Sequence, residues 1–426
     1  MRYILLFFLA FTSTLGFAQP DFDNIIYDNE VYVDHISSVQ FYINGFPLDD
    51  PIISIEDENP LALLFDDFDA EVADYYYTIV HCNMEWEPSN IQQMQYIDGF
   101  VEERIMDWRF SQQTMVGYTS YSLTIPNRNM RFTKTGNYLL VVYKKDRGPI
   151  PILTRRFVVY EPQLLIEANL VRPNQVKKLR THQEIDFSIF RDPKFRIANP
   201  RQEIRATILQ NGRWDNAIEG VVPFFIKSQE LVYDYQDKIV FPGLKEFRFV
   251  DTRSLRFRNF NVEEIIRRVD GHDVILATDA ERSRNPYVQI ADANGKFTIE
   301  NQDRGDPFLS ADYADVFFTY KIEQPFYDKD VYLIGAFNDW QIEENYRMVY
   351  NDRIGAYVLK TPLKQGYYNY QYAYVSRDDP AQQFTTDQSE GNWHATENDY
   401  TILIYYRPFG ARYDQVIGHA RINSLD

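Results

Sequence analysis

The run Tyr75-Tyr76-Tyr77-Thr78-Ile79-Val80-His81-Cys82 leaves the chain little alternative to a β-strand. Aromatic and β-branched side chains suit a pleated surface and crowd a helix. A period of two puts Tyr75, Tyr77, Ile79 and His81 on one face, and Tyr76, Thr78, Val80 and Cys82 on the other. Both faces are largely apolar, so the spacing predicts a buried strand. A loop stiffened by Pro88 then carries Trp86.

Runs of the same kind recur along the chain between Gly, Pro, Asn and Asp turns. Residues 39–43, 61–65, 75–82, 121–125, 138–143 and 153–159 read as strands at the spacing of a β-sandwich. Further strands are expected at 184–190, 204–209, 247–251, 274–278, 331–334, 356–359, 367–375 and 400–406. The fold class is therefore all-β, a tandem array of β-sandwiches. Glu161-Pro162 marks a first boundary, because proline cannot join a central ladder. The expected division is 19–161, 162–312 and 313–426, with 1–18 a signal peptide. Asn294-Gly295 signals a tight turn. Residues 262–269 fit either a short helix with i,i+4 charge pairs or one arm of a hairpin. Tyr368, Tyr370, Tyr372 and Tyr374 share one strand face, where core packing outweighs a stacking platform.

The wording of the first unit is more specific than its pattern. The stretch from Tyr75 through Trp86 to Ser89 is followed by Gln95-Tyr96-Ile97-Asp98-Gly99-Phe100, then by Tyr118 to Asn127, then by Thr135-Gly136-Asn137-Tyr138-Leu139-Leu140-Val141. This ordered set resembles the first domain of the type 9 secretion system plug proteins of the Bacteroidota. The far end, Thr396 to Tyr400 and on through Tyr413-Asp414, is similar to that family too.

The bulk properties suit such a protein. Arg2, the apolar core Ile4 to Phe11 and Gly16-Phe17-Ala18 before Gln19 read as a secretory signal. Its core is too short to span a bilayer, and no Cys follows the cleavage site to carry a lipid. Loss of Arg2 moves the formal charge from −18 to −19. So acidic a chain is poorly suited to nucleic acid or to an anionic membrane surface. Cys82 is the only cysteine, which excludes an intramolecular disulfide and leaves stability to the cores.

Gly335-Ala336-Phe337-Asn338-Asp339-Trp340 resembles the opening motif of early-set starch- and glycogen-binding modules, in which the Trp stacks on a sugar; the resemblance implies that the tandem β-sandwiches are immunoglobulin-like. The basic residue which that resemblance implies is Gln371 here, and residues 376–386 hold no second Trp. A polar residue matches loosely at Asn398 or Asp399. Trp340 is thus read as a vestigial sugar contact and glycan binding is not expected, with a carbohydrate-binding periplasmic or surface protein using this C-terminal module as the alternative reading.

No catalytic, cofactor-binding or metal-binding constellation stands out. The six histidines include no H-E-x-x-H, and adjacent strand residues His81 and Cys82 point to opposite faces. The acidic clusters Asp49-Asp50, Asp66-Asp67-Phe68-Asp69 and Asp378-Asp379 are expected to be largely solvated, with calcium a minor alternative. The resemblance implies a non-enzymatic periplasmic protein that closes the outer-membrane translocon barrel when cargo is absent, without inserting into the membrane itself. Trp86, Tyr96 and Trp108 are candidate interface anchors, or equally residues that pin a long connection to its own core.

Overall fold

The computed structural model describes residues 22, 25–57, 59–69, 71–191, 195–379, 381 and 383–425. The signal segment expected over 1–18 lies outside them. Nearly all regular structure is strand, and the sheets pair into three β-sandwiches.

The first sandwich packs Ile36–Ile43, Leu61–Asp67, Thr119–Ile125 and Asp107–Phe110 against a sheet centred on Tyr75–Cys82, Gly136–Asp146 and Gly148–Tyr160. The alternation in Tyr75–Cys82 has a physical outcome on both faces. Tyr75, Tyr77 and Ile79 enter the core between the sheets. Val80 and Cys82 lie on the reverse face, with Trp86 and the second sandwich's Trp214.

The second sandwich is discontinuous. One sheet holds Leu164–Val171, His182–Arg191, Glu230–Tyr233 and Phe225–Ile226, with Val240–Pro242 added to His182–Arg191. The other runs in the order Arg213–Val221, Ile204–Gln210, Asp399–Tyr406, Gln415–Asn423. The C-terminal strands thus complete the second sandwich, and the third is inserted between Pro242 and Asp399. Its sheets meet over Val316, Phe318, Tyr320 and the tyrosine stripe Tyr368, Tyr370, Tyr372 and Tyr374, all core residues.

The sheets divide the chain differently from the boundary expected at 312/313. Tyr313–Lys321 pairs in parallel with His272–Leu276, and Gly366–Ser376 pairs with Arg248–Asp251. Pairing between strands far apart in sequence leaves no local trace. Residues 262–267 are a strand, the first arm of a hairpin with His272–Leu276.

Two chain passages form the neck between the second and third sandwiches. Trp393 N–H donates to Leu244 O at 2.7 Å, and Asn398 Nδ2 donates to Gly243 O at 2.9 Å. A side chain on Gly243 would overlap the Trp393 carbonyl, so close approach of the two passages requires glycine here.

Candidate functional site

The structure gathers the singled-out aromatics at the seams between sandwiches. Trp86 sits in a turn with φ 62° and is only 4% exposed. Its ring meets Trp214 edge-on at 4.9 Å, and the Arg156 guanidinium lies 4.4 Å above it. Arg156 is held by Asp28 at 3.0 Å, and burial pulls its pKa below the usual guanidinium value. Trp86 therefore bolts the first sandwich to the second and is closed to any other partner. Tyr96 is also buried, donating its hydroxyl to Ile79 O at 3.1 Å and packing near His81 and Tyr138. Of the three expected anchors only Trp108 reaches the surface. It is half-buried on the edge strand Asp107–Phe110, packed on the core of the first sandwich between the exposed side chains of Met106 and Phe110.

Trp340 has φ 61° and is 8% exposed. Arg213 of the second sandwich lies 4.1 Å over its ring, and Phe247 of the neck packs at 5.7 Å. Asn294 and Gly295 form the tight turn with φ of 51° and 85°, which brings Gly295 against the indole. A sugar has no open ring face on which to stack. Gln371 is fully buried without a side-chain hydrogen bond. Asn398 and Asp399 fall outside the third sandwich: Asn398 bonds Asn211 and Gln183, and Asp399 pairs with Arg421 in the second.

Buried polar bridges complete the seams. Lys364 Nζ lies 2.6 Å from Asp66 Oδ2, with Tyr313 donating its hydroxyl to the same oxygen at 2.7 Å. Burial pulls the Lys364 ammonium down in pKa, against the opposing pull of Asp66. Asp312 accepts from the backbone N–H groups of Met115 and Val116. Between the first and second sandwiches, Tyr405 donates to Asn137 Oδ1 at 2.7 Å and Met84 N–H donates to Asp414 at 3.0 Å.

These bridges overturn the expectation of solvation for Asp66 and Asp67, whereas Asp69 and Asp378 are exposed as expected. Asp66 and Asp67 are both buried, because the ladder continues through them and aims one into each face of the sheet. Their place at the end of the strongly apolar run Leu61 to Phe65 was the available signal.

A cavity of about 220 Å³ lies where the three sandwiches meet. Its cations are already matched: Lys296 to Asp50 at 2.6 Å, Arg155 to Asp339 at 3.3 Å and Arg213 to Asp215 at 2.6 Å. Elsewhere, His35, Asp67 and Asp69 bring ligand atoms within 4.8 Å of one another. Both oxygens of Asp67 are engaged there, by the Tyr75 hydroxyl and the Asp69 N–H. His81 stacks against core tyrosines, and burial lowers its pKa to about 4. These groups do structural work in forming seams and closing turns.

Residues 36–161, the first sandwich, match the family described as type 9 secretion system plug protein 1st domain. The whole arrangement is similar to a crystal structure, at 2.30 Å resolution, of a hypothetical protein from Parabacteroides merdae ATCC 43184. The two share 32% identity and a TM-score of 0.88 over 94% of this chain and 100% of that one. No curated protein matches the chain. The ordered residues of the first sandwich, and a relative alike along nearly the full length, place this chain in the type 9 secretion system plug protein family.

Proposed function

We propose that the protein is a non-enzymatic periplasmic plug that binds the periplasmic opening of the outer-membrane translocon barrel and seals it in the absence of cargo. The observation that carries this reading is the union of the family's first domain with two further sandwiches through buried bridges at every seam. A pore wide enough for folded cargo leaks solutes unless a body that resists deformation covers it. Sandwiches joined by buried ion pairs and aromatic bolts resist deformation without disulfides. No described helix is long and apolar enough to cross a membrane, which suits a gate that cargo displaces. Trp108, with Met106 and Phe110, is the aromatic anchor open to the barrel.

The test is capture from native envelopes. A tagged chain should recover a very large outer-membrane barrel free of cargo, and its deletion should admit large solutes that the wild-type gene again excludes. Recovery of the chain alone, together with an unchanged permeability barrier, would refute the reading.

A further inference from the structure

At one end of the second sandwich the fold collects basic and apolar loop residues from segments far apart in sequence. Arg407 N–H donates to Glu203 O at 2.8 Å, and Arg201 Nη2 donates to Phe224 O at 3.3 Å. Arg412 Nη2 reaches Gln95 Oε1 of the first sandwich at 3.4 Å, beside Met94. The loops around 201, 225, 409 and 412 and the short helix Gln93–Tyr96 are therefore neighbours.

Their outward groups are of two kinds. Phe409 is fully exposed, Met94 is 78% exposed and Phe225, on an edge strand, is 58% exposed. Arg201, Arg407 and Arg412 are exposed at the same loop end. The acids here are mostly turned inward or matched. Glu203 is buried and accepts from Ala198 and Asn199 N–H, Asp414 is buried 3.7 Å from Arg407, and Glu230 pairs with Lys227. Glu85 is an exposed carboxylate near Arg407, and Glu87 of the same turn is exposed as well. Arg201 and Arg412 form no ion pair with any described residue.

We infer that this loop end docks on an anionic phospholipid surface, with the Phe and Met tips at the acyl boundary and the arginines on headgroup phosphates. Exposed aromatic tips beside arginines, two of which form no ion pair with a described residue, have the composition of an interfacial contact. On a chain of net charge −18, a local basic face is also the side that an anionic bilayer attracts. The inference rests on the plug reading for its location, since a barrel mouth is ringed by leaflet. It depends on lipid chemistry alone for its test.

The mature chain should float with vesicles of phosphatidylethanolamine containing about one third phosphatidylglycerol, and release as salt rises. Each of Arg201→Gln, Arg407→Gln and Arg412→Gln should weaken partition about fivefold, and the triple variant about a hundredfold. Arg353→Gln, an exposed site on the third sandwich, should leave it unchanged. No flotation by the wild-type chain at low salt, or equal flotation of the triple variant, overturns the inference. So does a triple variant that loses capture of the detergent-solubilised, lipid-free barrel, because the arginines would then face protein. If the wild-type chain binds vesicles but fails to capture the barrel, the plug reading falls and the lipid contact stands.

Discussion

Lys364 of the third sandwich and Asp66 of the first form an ion pair of 2.6 Å from which water is almost wholly excluded. Each is the other's main compensation for burial, so removing one partner strands the other. Asp66→Ala is expected to destabilise the protein by about 3–5 kcal/mol, whereas Asp66→Ala with Lys364→Met should recover much of the loss. Urea unfolding of the two variants checks this, and equal destabilisation in both would refute it.

Gly295 stands at φ 85°, and a Cβ there would lie 2.5 Å from the Trp340 ring. Gly295→Ala combines backbone strain with overpacking, for an expected loss of about 2–4 kcal/mol. A lowered melting temperature with unchanged far-ultraviolet dichroism is the expected result.

Arg213 covers the face of Trp340 that a sugar would need. Arg213→Ala should expose the indole to acrylamide quenching and cost about 2 kcal/mol of cation–π and packing energy. Trp340→Phe supplies the reference that isolates this residue from the other four tryptophans. Quenching identical to wild type would mean that the guanidinium does not shield the ring.

His81 Nε2 lies 3.1 Å from the Thr135 carbonyl, so it carries the proton, and Nδ1 accepts from the Ser89 hydroxyl at 2.8 Å. Burial lowers the ring's pKa from 6.5 to about 4, so between those values only the unfolded chain takes the proton. His81 therefore costs no stability above pH 6.5. Its penalty grows as pH falls and reaches about 3 kcal/mol near pH 4. Glu246 and Glu343, pushed up to about 7 by burial, act in the opposite direction. The informative quantity is thus the difference between wild type and His81→Gln, which should shift by that amount against wild type on acidification. A His81 ring signal titrating near pH 6.5 in the native protein would contradict this.

Trp108 is the sequence-designated anchor that remains at the surface. Trp108 also packs on the core of the first sandwich, so Trp108→Ala should lower the melting temperature by a few degrees and weaken translocon capture by about tenfold, whereas Trp108→Phe should keep the melting curve and still weaken capture. Capture by the Phe variant equal to wild type would leave the residue a core contact only.

The strands were legible because their cause is local: alternation in Tyr75–Cys82 and the tyrosine stripe of Gly366–Ser376 follow from a period of two. The ordered words of residues 75–141 carried the family. Partnership was not legible. That Asp399–Tyr406 returns to Ile204–Gln210 instead of closing the third sandwich is a pairing across nearly 200 residues, which no local pattern announces. The same holds for Trp86 and Trp340, whose rings are covered by side chains from another sandwich. Net charge misleads for a related reason. It sums over the chain, whereas a surface is built from what the fold turns outward at one place. The sequence by itself determined the strands, the all-β class and the family. Only the tertiary structure decided which sandwich each strand completes, which aromatics are closed off and where the arginines gather, because long-range pairing and mutual burial have no local signature.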